Sequence, residues 1–296
     1  MCKISVVIPT YNRSDLLKKT LIALCHQTLT KDMFEVIVVD DGGSNNARSI
    51  CDSFIGNLNI RYFWQSDNGF RAGKARNVGI SAAEGEYILF IDTGVLLHQK
   101  TLARHLALHS RSNYPLVCIG YVYGFEVADE IMNEVISKIT PNNVEGSIEV
   151  LVRESALDIR QKQYDEFGYS ICTWPAPFDI FWTCHVSAEK KELIKVGMFD
   201  ENFNSWGGED VDLGVRLYLA NNKFLVSTEL SSIHWPHKKE VCDHKAQTEN
   251  AAIRIHKKYN LWQTAFYNID LNDEKYSLNK VIYTISAQGE NDHAIV

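Results

Sequence analysis

No Cys-x-x-Cys pair occurs in this 296-residue sequence, and its seven cysteines (Cys2, Cys25, Cys51, Cys118, Cys172, Cys184 and Cys242) are scattered and odd in number. That pattern argues against a disulfide framework and a structural zinc ribbon, so a reducing compartment is expected. No segment approaches the roughly 18 apolar residues that cross a bilayer, and the first strand starts at once without a basic region and apolar leader. A cytoplasmic protein is expected, with no integral membrane segment, meeting a membrane only through a partner or a lipid-linked acceptor. Positive charge is also scarce, with a formal net charge of −7. Nucleic acid is thereby excluded as a general partner, and any local basic cluster becomes informative. There is no Gly-x-x-x-x-Gly-Lys-Ser/Thr loop and no Gly-x-Gly-x-x-Gly after the first strand, which disfavours Walker-type ATP binding and a dinucleotide site. Internal repeats and low-complexity linkers are absent too. What remains is 45% hydrophobic, enough for a sizeable core.

Short β-branched runs supply that core. Ile4–Pro9, Phe34–Val39, Ile60–Trp64 and Tyr87–Ile91 are nearly continuous apolar strands, and helical patterns such as Leu16, Leu17, Leu21 and Leu24 alternate with them. The alternation predicts an α/β fold with a mostly parallel sheet covered on both faces. Ligands of such sheets bind beyond the carboxyl ends of the strands, where this sequence carries Thr10 and Asn12, Asp40 and Asp41, and Asp92.

Two further stretches concentrate chemistry. Asn68–Gly79 sets Arg71, Lys74 and Arg76 among glycines in an otherwise acidic chain, a composition suited to a diphosphate near a helix N-terminus. Trp206-Gly207-Gly208-Glu209-Asp210 delivers adjacent carboxylates to the first turn of a helix over 209–220. Neighbouring acids can divide hydroxyl binding from proton removal, although acids also favour first turns for the helix dipole alone. Asp212 with Arg216 has the spacing of an ordinary i,i+4 surface pair.

Val-Ile-Pro-Thr-Tyr-Asn-Arg (7–13), Val-Val-Asp-Asp-Gly (38–42), the Gly69–Gly79 segment and Phe-Ile-Asp (90–92) resemble the nucleotide-sugar half of family 2 glycosyltransferases with the GT-A fold. Trp-Gly-Gly-Glu-Asp (206–210) resembles the acceptor-side motif of β-1,4-galactosyltransferases and of chondroitin-polymerase-type bacterial enzymes. The resemblance implies a Rossmann-like sheet flanked by helices with an acceptor-side α/β extension. It divides the chain into a nucleotide-sugar half (1–124), an acceptor and catalytic half of the same domain (125–240) and a C-terminal helix and tail (241–296). It implies a UDP-sugar donor, a carbohydrate or glycosylated acceptor, and transfer of a hexose or N-acetylhexosamine to a hydroxyl by inversion.

By the same resemblance Thr10, Tyr11 and Asp40 hold the uridine, Arg76 and Asn77 lie near diphosphate and sugar, and Arg76 or Lys74 helps the departing UDP. Asp92 matches the first acid of an Asp-x-Asp metal signature, which here reads Asp92-Thr93-Gly94 and lacks its second acid. A divalent metal, Mn²⁺ or Mg²⁺, is implied, with His234 favoured and His237 second as a further ligand. A helix of about 18 Å and a returning strand at Lys223–Ser227 of about 17 Å allow that histidine to reach the same rim. Asp210 becomes the base and Glu209 the binder of a hydroxyl. The rivals are a nucleotidyltransferase, for which Thr10–Arg13 is the wrong loop, and a catalytically silent nucleotide-sugar or glycan-binding protein.

Elsewhere, residues 125–180 are expected to carry helices at Asp129–Lys138 and Ile148–Gln163 and to wall the acceptor side. Trp174, Phe181, Trp182 and Trp206 are the candidate sugar-stacking rings, at least two of which are expected in the core. His185 suits either a sugar contact or a hydrogen-bonded core position. His105 and His109 have a zinc-pair spacing without a visible third ligand and are expected at the surface. A helix around Val241–Tyr259 is expected to pack back on the catalytic core, and the last thirty or so residues to form a strand or a partner-binding tail.

Overall fold

The computed structural model describes residues 2–237, 245–267 and 277–293. Among them the chain runs β1 (Ile4–Thr10), α1 (Ser14–Cys25), β2 (Phe34–Asp40), α2 (Ala47–Ser53), β3 (Ile60–Trp64), α3 (Ala72–Ala82), β4 (Tyr87–Ile91), β5 (Val95–Leu97), α4 (Thr101–Arg111) and β6 (Leu116–Tyr123). It continues through α5 (Asp129–Lys138), α6 (Val144–Arg153), α7 (Gln161–Phe167), β7 (His185–Glu189), α8 (Lys190–Lys195), α9 (Glu209–Leu219), β8 (Lys223–His234), α10 (Lys245–Tyr259) and α11 (Leu278–His293).

One eight-stranded sheet, in the order β3-β2-β1-β4-β7-β6-β8-β5, carries the whole. The first four strands are parallel. β7 then runs antiparallel between β4 and β6, β8 is parallel to β6, and β5 is antiparallel to β8. The apolar strands are buried on both faces by α1 and α3, as their composition requires. A strand from the second half of the chain thus sits inside the sheet begun by the first.

That topology builds one polar rim. Register places Thr10, Asp40 and Trp64 side by side at the ends of β1, β2 and β3. β4 ends at Ile91, opposite the first residue of antiparallel β7, so Asp92 and Cys184 meet at the same edge. β8 finishes there as well, with His234 paired to Val95 and the Trp235 N–H donating to the Gly94 carbonyl at 2.9 Å. Gly94 has φ +99°, a conformation that costs an aspartate, and its N–H is taken by Thr20 Oγ at 2.9 Å. The turn after Asp92 is therefore shaped for glycine, which accounts physically for the missing second acid.

Several expectations change. The helix expected over Ile148–Gln163 is two, α6 and α7, because Ser155 at φ +55° breaks the path between them. The returning strand at Lys223–Ser227 extends to His234, and the C-terminal segment forms α11 rather than a strand. Cys242 and the start of the helix expected from Val241 lie outside the described residues. The six described cysteines are all free thiols.

Candidate active site

Arg76 joins the two halves of the rim. Its α3 packs across β1 and β2, and Arg76 is only 4% exposed. One guanidinium nitrogen donates to Asp92 Oδ1 at 2.9 Å, the other to Glu209 Oε1 at 3.1 Å, and the plane lies 5.6 Å from the Phe199 ring. Burial works against its charge, but Asp92 and Glu209 outweigh it and hold the guanidinium protonated. The end of β4 and the first turn of α9 are thus tied through one cation, which lies 133 residues before Glu209 in sequence.

The first turn of α9 is delivered by Gly207 and Gly208, both at positive φ (+88° and +92°). At Gly208 a side chain is also excluded by space, since a Cβ there would come within 2.6 Å of the Ala251 Cβ on α10. Glu209 is 6% exposed, and its second oxygen, Oε2, has no hydrogen-bond partner among the described residues. A buried carboxylate oxygen left open is costly unless a ligand hydroxyl completes it. Asp210 is partly buried, with Oδ1 accepting from the Val211 N–H at 2.8 Å. Burial, then the adjacent Glu209 charge, pushes its carboxyl up to about 7, while Arg76 pulls the other way.

On the nucleotide side, Asp40 is buried and accepts from Gly43 N–H at 2.7 Å and from Tyr62 Oη at 2.9 Å. Thr10 lies beside it, 4% exposed, with a buried hydroxyl that has no partner among the described residues. Tyr11 and Trp64 stand exposed at the same edge, and Tyr11 Oη donates to Asp67 at 3.0 Å. Arg71 is held by Asp41 through both its backbone N–H and its guanidinium at 2.9 Å, and it also donates to the Ser66 carbonyl. Thr10, Tyr11, Asp40, Arg76, Asp92, Glu209 and Asp210 therefore share one rim.

Other expected residues are placed elsewhere. Two residues from Arg76 on an α-helix is about 200° around the axis, and Lys74 accordingly faces Glu201, 4.0 Å away, beside Phe63 and Val78. Asn77 is corrected as well: its amide is spent on the Phe199 N–H and carbonyl at 2.8 and 2.9 Å and on Glu201 at 3.1 Å. It braces the loop ahead of α9 rather than facing the rim. Trp174 and Phe181 are core residues at 3% and 0% exposure, whereas Trp206 is 45% exposed on the loop before Glu209. Trp182 is partly buried, its indole 5.2 Å from the Arg160 guanidinium and its N–H donated to the Asp179 carbonyl. The rings of His234 and His237 lie tilted against each other with centroids 5.1 Å apart, and the Phe125 ring lies 4.7 Å from that of His234. Asp92 engages Arg76 through Oδ1 and keeps its side chain 39% exposed at this rim, while His234 ends β8 opposite Val95; a carboxylate oxygen and an imidazole nitrogen are donor types that a divalent cation accepts.

The other candidate histidines are not at the surface. His105 and His109 are buried on α4, and His185 is fully buried on β7. His105 meets Ser187 Oγ at 2.8 Å and His185 at 3.0 Å, His109 meets the same hydroxyl at 2.7 Å, and His185 reaches Ser232 at 2.8 Å. Cys118 also approaches His105 and His109, but the Ser187 hydroxyl already sits among them and bonds to all three. Helical spacing alone could not show that the sheet covers this face of α4. Burial holds the imidazoles neutral, lowering His109 to about 4 and His185 to about 3.

Residues 5–183 match glycosyl transferase family 2, and residues 167–236 match the N-terminal domain of galactosyltransferase. The chain belongs to glycosyl transferase family 2. Among curated family 2 relatives, it is 34% identical over 238 residues to validoxylamine A glucosyltransferase of Streptomyces hygroscopicus subsp. jinggangensis, covering 80% of this chain and 56% of that protein. It is 35% identical over 225 residues to chondroitin synthase of Escherichia coli, covering 73% of this chain and 32% of that one. This chain thus spans about half, or less, of the length of the curated relatives it matches. In fold it is similar to residues 1–349 of S. aureus TarS in complex with UDP-GlcNAc, with TM-score 0.62, 20% identity, and coverage of 91% of this chain and 68% of that one. The GT-A fold of the family is thereby established for this sheet. Among the described residues no helix is long and apolar enough to cross a membrane.

Proposed function

We propose that this chain transfers a hexose or N-acetylhexosamine from a UDP-sugar to a hydroxyl of a glycan or glycosylated small molecule, with inversion at the anomeric carbon. The observation that carries the reading is the open, buried Oε2 of Glu209 beside Asp210, a carboxyl pushed up to about 7, on a turn tied by Arg76 to Asp92. Such a pair suits one acid for holding a hydroxyl and one for taking its proton.

In this mechanism Thr10, Tyr11 and Asp40 receive the uridine, and the Thr10 hydroxyl gains its missing partner. Glu209 Oε2 accepts a hydrogen bond from a sugar hydroxyl and orients it. Asp210 takes the proton of the attacking acceptor hydroxyl as its oxygen bonds to the anomeric carbon and the bond to the diphosphate breaks. Arg76 holds Glu209 by a hydrogen bond and fixes its distance from Asp92. Asp92, with His234 or His237, would hold Mn²⁺ or Mg²⁺, which supplies charge neutralisation for the diphosphate when bound. Trp182 and Trp206 offer ring faces to the acceptor.

The test is UDP release from a panel of UDP-sugars with and without Mn²⁺, comparing the wild type with Asp210→Asn and Asp92→Ala. Metal-dependent release lost in Asp92→Ala, together with acceptor-stimulated transfer lost in Asp210→Asn, supports the mechanism and names the donor. Transfer untouched by Asp210→Asn refutes the choice of base. Binding of UDP with no release from any donor would instead favour a silent nucleotide-sugar binder.

A further inference from the structure

Asp212 is not the surface partner of Arg216 that its spacing suggests. It is fully buried and accepts from four donor atoms: Arg216 Nε at 3.1 Å and Nη2 at 2.7 Å, Lys258 Nζ at 2.8 Å and Tyr259 Oη at 2.7 Å. Lys258 and Tyr259 come from the last turn of α10, beyond the residues that match either family. Lys258 also reaches Asp200 at 2.7 Å, and Arg254, one helical turn earlier on α10, donates to the Asn202 carbonyl at 2.7 Å while lying 4.4 Å from the Phe203 ring. On its other side Arg216 donates to the Val196 and Met198 carbonyls.

These contacts converge on one short segment, residues 196–203, and on the turn that follows it. Asn77 holds the same segment from α3, one residue after Arg76. The helix carrying the rim's cation and the helix carrying its two acids are therefore locked to a common strap, and α10 fastens that strap from outside through Lys258. Gly208, pressed against Ala251, fixes the approach of α10 to the turn itself. A buried carboxylate with this many charged and hydroxyl donors is rigid, and breaking one partner leaves the rest uncompensated.

We propose that Asp212, Lys258 and Tyr259 form a positioning clasp: α10 sets the first turn of α9 so that Glu209 stays on Arg76 and Asp210 stays within reach of the attacking hydroxyl. This rests on the reading of Asp210 as base. The clasp touches neither the uridine side of the rim nor any reacting atom. It acts on the rate of the chemical step, because a small misplacement of a catalytic carboxylate costs rate out of proportion to stability.

The experiment uses the whole chain with Lys258→Met, Lys258→Arg and Tyr259→Phe, at a temperature where each is folded by circular dichroism. UDP affinity by calorimetry, which reads the Thr10 and Asp40 side, counts competent molecules, and kcat with the best donor is divided by that count. The expected result is UDP affinity within twofold of wild type in all three, kcat down at least tenfold in Lys258→Met and several-fold in Tyr259→Phe, and recovery to within threefold in Lys258→Arg. An unchanged kcat in Lys258→Met and Tyr259→Phe overturns the clasp, as does loss of UDP affinity in parallel with kcat, which would mark a global structural role. Asp210→Asn measured alongside separates the two readings: if it keeps its rate while Lys258→Met loses it, the base is wrong and the clasp stands.

Discussion

Replacing the proposed base should make the protein more stable. In the folded chain the Asp210 carboxyl is pushed from an ordinary 3.8 to about 7, burial being the larger cause and the Glu209 charge the next. At about 1.4 kcal/mol for each tenfold change in proton affinity, ionised Asp210 costs the fold up to about 4 kcal/mol. Asp210 is only partly buried, so solvent screens part of that cost and a gain of about 2 kcal/mol is expected from Asp210→Asn. The amide oxygen is isosteric and can still accept from the Val211 N–H, so the substitution opens no cavity and breaks no bond. The sign with pH follows directly. The folded carboxyl holds its proton more tightly than the unfolded one, so wild-type stability rises as pH falls from about 7 toward 4, and the variant lacks that slope. The gap should be full at pH 8, smaller at pH 6 and nearly gone at pH 4.5. Urea unfolding of the ligand-free proteins at those three values measures it, and groups titrating in both proteins cancel in the difference. An Asp210→Asn variant that is no more stable than wild type at pH 8, or whose gap is the same at pH 4.5, would refute the reasoning and with it the strained-carboxylate picture of the site.

The Arg76 bridge makes the opposite prediction: Arg76→Met leaves Asp92 and Glu209 facing each other without their cation and should lose about 3–5 kcal/mol in urea unfolding as well as transfer. Buried His109 and His185 bind protons more weakly folded than unfolded, so their contribution is complete above about pH 6.5 and is lost as pH falls toward 4 and 3. At pH 5 that is about 2 kcal/mol each, and a His109→Gln variant should show a flatter stability profile between pH 6.5 and 5 than the wild type. Gly208→Ala must strain a left-handed backbone and push against Ala251, and should lower the thermal midpoint and kcat together. Mn²⁺ should tighten UDP binding to the wild type and not to Asp92→Ala, a difference that calorimetry reads without any turnover.

The strand ends were legible early because burial on both faces demands continuous apolar runs, and a run cannot hide where it stops. Thr10, Asp40 and Asp92 stand out as the polar residues just past Ile4–Pro9, Phe34–Val39 and Tyr87–Ile91. The Trp206–Asp210 motif was legible for a similar reason, since paired glycines ahead of paired acids have few uses. Local pattern failed where a side chain is judged by what covers it from afar. Lys74 and Arg76 look alike in sequence, and only the packing of α3 turns one to Glu201 and the other to the rim. Asp212 and Arg216 have the spacing of a solvent-facing pair until α10 arrives from more than forty residues away. His105 and His109 look like a surface pair until β7 and β8 close over them.

The four parallel strands, the polar residues at their ends and the Trp206–Asp210 turn were readable from local pattern, because hydrophobic periodicity and glycine placement are local physics. Which cation joins the two halves, which carboxylate oxygen is left open and which helix holds the Glu209–Asp210 turn came from packing across the fold. Those depend on desolvation and on contacts between residues far apart in the chain, and no window of sequence contains both partners.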